Sequence, residues 1–281
     1  MAGFKGNGHL IRMINRILLI LLFFPWCVNS VEYEPWIGSY FEFEWRTVLR
    51  FQKFDHLACP NSLCKYRSND LFLSTSLSVA VKPQFSLELE AVAASTRRQS
   101  GGIDHIRING RYVWLDDIAG DPLTLTFGGG FIQGFNRSFK DKSSFHHGHS
   151  EVELFLSAGK ECTKGMRWIS RGWGMLGIGC AEKGSPWIRF NASLANQIKK
   201  NQEIEVFART LWGLGHKDLD PSSFNGYGSI QHQSVDIGIT YRYWIEFFGS
   251  ISLEYAKRVH VRNFPAEAHQ LRLTLLYTFG L

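Results

Sequence analysis

From residue 41 the chain alternates with a period of two: Phe41, Phe43, Trp45, Thr47, Leu49 and Phe51 interleave with Glu42, Glu44, Arg46, Val48, Arg50 and Gln52. Successive side chains of a β-strand point to opposite faces, so this segment has one apolar face and one carrying charges of both signs. A helix, with its 3.6-residue period, would mix the two sets. The segment predicts a strand.

The same alternation recurs along the chain. Apolar sets fall at Leu71, Leu73, Leu77, Val79 and Val81, at Phe85, Leu87, Leu89, Ala91 and Ala93, at Ile106, Ile108, Tyr112 and Trp114, and at Leu123, Leu125, Phe127 and Phe131. They continue at Val152, Leu154, Leu156 and Ala158, then Ile188, Phe190, Ala192 and Leu194, then Ile204, Val206, Ala208 and Trp212. Val235 to Tyr243, Ile251 to Val259 and Leu271 to Leu281 close the series. A weaker segment from Met166 to Gly179, rich in Trp and Gly, reads as a strand whose faces the pattern does not assign. The count is about twelve, an even number. Gly128, Gly129 and Gly130 are followed by no Gly-Lys-Ser/Thr and no helix start, so they are read as room for a bulge or bend and not as a phosphate loop.

Upstream of the alternation, Lys5, Arg12 and Arg16 precede the apolar run from Ile17 to Phe24, followed by Pro25 and Val28-Asn29-Ser30. This is the pattern of a secretory signal peptide cleaved after Ser30. The run is shorter than the roughly 20 apolar residues of a spanning helix, and no long apolar run follows it. An exported chain of repeated half-apolar strands predicts an all-β fold: a closed antiparallel transmembrane β-barrel of about 12 strands, with a signal peptide at 1–30 and the barrel at 31–281. In lipid every backbone polar group must be paired, which only helices and closed barrels achieve. The 44% hydrophobic content suits this, because lumen and loop residues dilute the lipid-facing ones. Trp45, Trp114, Tyr241, Tyr243 and Tyr277 read as interface anchors.

Connection lengths alternate as in a barrel with both termini at one rim. Residues 53–69, 97–104, 135–150, 215–230 and 262–268 read as longer polar loops, and 82–84, 116–122, 199–201 and 244–249 as short turns, while 159–166 and 181–186 blur the rule. The net charge of +6 is spread beside acids along the strands, which argues against nucleic acid as a partner. Cys59 and Cys64 bracket Pro60-Asn-Ser-Leu63 and suit a local disulfide in an oxidising compartment. A zinc site there lacks ligands beyond His56, so no metal is expected. Cys162 and Cys180 fall at opposite rims and should not pair.

The face opposite the apolar set holds Glu42, Glu44, Arg46, Arg50, Glu88, Glu90, Arg107, Arg111, Arg189, Glu203, Glu205, Arg209, Asp236, Arg242, Glu254, Arg258 and Arg272. These are expected to line the lumen. As cross-strand ladders they would fill and stiffen it; where unpaired they would select small polar solutes on a water-filled path. An enzyme reading rests on His232, Ser234 and Asp236, the components of an activated nucleophile. The His-x-Ser pair resembles that of outer-membrane phospholipases and lipid A deacylases, but here the parity of Val235, Ile237 and Ile239 turns both residues inward and the Asn-Gly continuation is missing. No catalytic residue is assigned. The cluster Ser143-Ser-Phe-His146-His147-Gly-His149-Ser150 is expected to be a solvated His-rich loop tip, with metal binding as the alternative.

The last segment, Gln270-Leu-Arg-Leu-Thr-Leu-Leu-Tyr-Thr-Phe-Gly-Leu281, resembles the closing strand of Gram-negative outer-membrane β-barrel proteins of the porin and transporter type. Tyr277, Phe279 and Leu281 match the pattern, with Leu in place of the usual terminal aromatic residue. The resemblance implies that the barrel assembly machinery reads this strand, and that outer-membrane lipid is the surrounding partner. Fold alone names no activity. The expected function is a narrow channel or substrate-selective porin for small hydrophilic solutes, with no cofactor; the alternative is a structural or adhesive barrel that acts through its external loops.

Overall fold

The computed structural model describes residues 33–60, 62–165 and 167–280. The expected signal peptide and its cleavage site, together with Met166 and Leu281, lie outside the described residues. The strands are β1 (Glu42–Cys59), β2 (Ser62–Lys82), β3 (Phe85–Ser95), β4 (Gly102–Leu115), β5 (Thr124–Gly134), β6 (Ser150–Lys164) and β7 (Arg167–Ala181). They continue with β8 (Trp187–Lys199), β9 (Gln202–Gly213), β10 (Gln233–Ile245), β11 (Gly249–Arg262), β12 (Pro265–Ala266) and β13 (His269–Gly280). A four-residue helix, α1 (Asn136–Phe139), follows β5.

Each long strand pairs antiparallel with its sequence neighbours, and β1 pairs with both β2 and β13. That last ladder, from Glu42 opposite Gly280 to Lys53 opposite His269, closes twelve strands into a ring without a free edge. β12 is a two-residue rung against His56 and Leu57 of β1.

The sidedness is inverted relative to a soluble protein. Leu49, Leu77, Leu89, Ile108, Leu154, Ile239, Leu253 and Leu273 stand exposed on the outer wall, while Ser76, Glu88, Glu90, Arg107, Asn109 and Thr126 are buried inside. Leu89 lies between Leu77 and Ile108 on the neighbouring strands. A cation there would face hydrocarbon, and Leu89→Arg is expected to destabilise the folded barrel by about 2–4 kcal/mol if it sits near the bilayer midplane. Urea unfolding in lipid vesicles measures this; equal stability would place Leu89 outside the hydrocarbon.

Trp114, Tyr241, Tyr243 and Tyr277 are exposed on the outer wall at the rim that carries the short turns, and Trp45 is half-buried beside them, donating Nε1–H to Thr75 Oγ1. Two sequence expectations change. Residues 53–69 are not a loop: the β1–β2 ladder runs on to Cys59 opposite Ser62, and Cys59 and Cys64 are bonded across its tip, S–S 2.07 Å. Gly128 to Gly130 form no bulge, since their pairing with β4 and β6 is regular. Gly128 makes room instead, because a Cβ there would overlap the Phe155 ring.

The larger apolar core among the described residues lies at the long-loop rim. Residues 214–232 and 263–268 fold inward, so that Leu219, Phe224, Tyr227, Ile230 and Phe264 pack with Phe54, Leu57 and Trp187 of the wall. Tyr227 ties loops together: its hydroxyl donates to the Lys142 carbonyl at 2.8 Å, and its N–H donates to that of His146.

Candidate functional site: a charged lumen with two inserts

All seventeen predicted inward residues are buried or half-buried. Pairing organises most of them. Arg209 makes a two-pronged contact with Glu254 at 2.7 and 2.8 Å, and Arg258 does the same with Asp236 at 2.7 and 2.9 Å. Arg242 donates to Glu203 at 2.9 Å, Arg189 to Glu153 at 3.2 Å, and Ser76 to Glu88 at 2.6 Å. Such charge-assisted bonds are strong in a partly desolvated setting. Arg111 binds backbone carbonyls, Arg46 lies 3.4 Å from Glu44, and Glu42 accepts from the Ser39 N–H.

One region is not paired off one to one. Arg50 and Arg272 stand directly opposite on β1 and β13, and Arg272 shares Glu254, at 3.4 Å, with Arg209. Arg50 itself makes no ion pair among the described residues; its guanidinium lies over the Phe72 ring at 4.2 Å. Three arginines therefore crowd one carboxylate, within the field of Glu90, Asp70 and Asp104 from the adjoining wall.

The lumen is entered from the short-turn rim by the segment before β1. Tyr33 donates to Glu153 Oε1 at 2.9 Å and accepts from Arg107 at 3.0 Å. Its carbonyl takes the Ser157 hydroxyl, that of Pro35 takes the Thr126 hydroxyl, and those of Glu34 and Trp36 take Arg111. Glu34 also comes within 3.9 Å of Arg242 on β10, six strands around a twelve-strand ring from Arg111 on β4. The strap thus spans the lumen from wall to wall. No alternation marks it, and sequence reasoning missed it.

The second insert is the loop between β5 and β6. Its histidines are not a solvated tip. His146 and His147 are 4% exposed, because acids on the wall hold the first and aromatic rings the second. His146 Nε2 is 3.0 Å from Asp104 Oδ2, and its Nδ1 is 3.4 Å from Glu151 Oε1. Burial opposes charge on this imidazole, yet Asp104 and Glu151 outweigh it and hold its pKa up at about 10. His147 stacks on Trp187 at 3.9 Å, and its Nε2 is 2.9 Å from His232 Nε2. Burial and then the neighbouring His147 push His232 well below its ordinary value. Asp104 and His105 owe their placement to a β-bulge: His105 pairs with Val92 and Ile103 with Ala93, leaving Asp104 as the extra residue.

His232, Ser234 and Asp236 are brought inward but not into a relay. Both Asp236 oxygens accept from Arg258, one also from Gln270, and His232 faces His147. Tyr277 and Phe279 stack on the outer wall, Phe279 against Phe43 at 5.4 Å. Cys162 and Cys180 are exposed and free.

No family model matches the chain, and no curated protein does. Among solved structures, an outer-membrane channel from Pseudomonas putida F1 superposes with a TM-score of 0.62 at 11% identity, covering 90% of this chain and 100% of that one. The NanC porin superposes at 0.56 with 8% identity, covering 84% and 100%. Likeness at such identity concerns architecture: the chain has the closed β-barrel fold of outer-membrane channels and porins.

Proposed function

We propose that the chain is a narrow outer-membrane channel, selective for small hydrophilic solutes and constricted by its strap and its folded-in loops. The observation that carries this reading is Arg50, which stands opposite Arg272 on the inner wall and makes no ion pair among the described residues. A purely structural lumen would pair its charges, whereas a guanidinium left without a salt-bridge partner on an inner wall costs stability and suits a path for charged or polar solutes. The barrel fold shared with two outer-membrane pores supports the same reading. In this scheme the segment 1–30 is removed after Ser30, the assembly machinery reads Tyr277, Phe279 and Leu281, and lipid covers the exposed apolar wall.

Planar-bilayer recording tests the proposal. Arg50→Glu combined with Arg272→Glu is expected to move the reversal potential in a salt gradient toward cation selectivity. An unchanged reversal potential in a conducting double variant removes these arginines from the path. The dual occlusion favours a second reading, a closed barrel acting through its outer loops, which would give no conductance even with the inserts removed.

A further inference from the structure

We propose that Asp104, His105 and His146 form a binding site for a divalent transition-metal ion such as Zn2+, which clamps the β5–β6 loop to the barrel wall. Two imidazole nitrogens and a carboxylate oxygen converge here: His105 Nδ1 lies 2.8 Å and His146 Nε2 3.0 Å from Asp104 Oδ2, and all three ligand atoms fall within 4.8 Å of one another. Nitrogen with oxygen is the donor set for zinc, nickel or copper and not for calcium or magnesium, which take oxygen alone.

Two further observations point to a ligand. Asp104 is 1% exposed, and its second oxygen, Oδ1, has no hydrogen-bond partner, so the buried carboxylate keeps unused coordinating capacity. The other nitrogen of His146 faces Glu151 Oε1 at 3.4 Å, and Glu151 is itself fixed by the N–H groups of His147 at 2.7 Å and Gly148 at 3.3 Å. A metal-ligating histidine ordinarily gives its remaining N–H to a carboxylate, which sets tautomer and ring orientation. Glu151 fills that positioning role once the incoming ion has displaced, into solvent, the protons that His105 Nδ1 and His146 Nε2 give to Asp104 Oδ2. His105 is the accessible edge, its side chain 20% exposed, and gives an ion a way in. Two ligands come from β4 and the third from a loop more than 40 residues on, so an ion here would join wall and insert.

The test is titration of ZnCl2 into the folded full chain in detergent after removal of metal with a chelator, followed by calorimetry. The expected result is one saturable ion per barrel. His105→Ala and His146→Ala should each weaken it by at least about 100-fold, and Glu151→Gln by about 10- to 100-fold, while His149→Ala and His56→Ala leave it unchanged. Co2+ should give visible absorption bands that His105→Ala abolishes. Heat-modifiable migration reports the fold of each variant, and half-buried His105 keeps the test valid if His146→Ala does not fold. Absence of saturable uptake by the parent protein, uptake retained in folded His105→Ala, or equal loss in the His149 and His56 controls would overturn the site and leave a hydrogen-bonded acid–imidazole network.

Discussion

Arg258→Met is expected to lower the unfolding free energy by about 3–5 kcal/mol, the usual consequence of removing one partner from a buried ion pair. Arg258 holds both oxygens of Asp236, donates to the Pro265 carbonyl at 3.1 Å and lies over the Phe264 ring at 4.7 Å. The substitution leaves Asp236 with Gln270 as its remaining side-chain donor and loosens the 263–268 loop at once. Guanidinium titration of the refolded barrel measures the loss. Adding Asp236→Leu removes the stranded charge and should restore most of it. If the double variant is no more stable than Arg258→Met, the cost arises from lost packing and not from the pair.

Excising residues 138–147 and bridging the gap with a short Gly-Ser linker is expected to raise single-channel conductance several-fold. That segment supplies His146, His147 and the Lys142 carbonyl on which Tyr227 is fixed, so the 214–232 loop loses its anchor too. Loops that open by losing few packing contacts are the low-stability part of a fold. The strap from Tyr33 to Trp36 still crosses the lumen in this variant, and weakening it with Tyr33→Ala should add a further increase. A folded barrel that lacks both inserts and still fails to conduct would sink the channel reading and favour action through the outer surface.

The barrel was legible where hydrocarbon dictates the sequence. On β1, Phe43 to Phe51 must alternate because one face meets lipid and the other does not, and the same constraint exposes every long strand except β7. There glycines such as Gly172, Gly174, Gly177 and Gly179 carry no side chain to mark a face. Beyond the membrane rim the constraint lapses, which is why Lys53, Asp55, Lys65 and Arg67 read as loop although their backbone ladder continues.

The lumen residues followed from parity, and parity also placed Glu151 and Glu153 inward beside Val152 and Leu154, although the sequence reading passed over them. Asp104 was out of reach, because a single extra residue in β4 shifts the register that parity arguments assume. The histidine loop misled for a different reason. Its composition suits water, and its burial depends on partners at Asp104 and Trp187 that no local pattern announces.

The strap limits what can be attached ahead of it. Tyr33 to Trp36 are enclosed by β4, β5 and β6 on one side and β10 on the other, while the chain reaches β1 only afterwards, at the seam where β1 meets β13. A folded partner fused directly ahead of Tyr33 would have to enter the bore with it or hold the strap out, leaving the lumen unbarred.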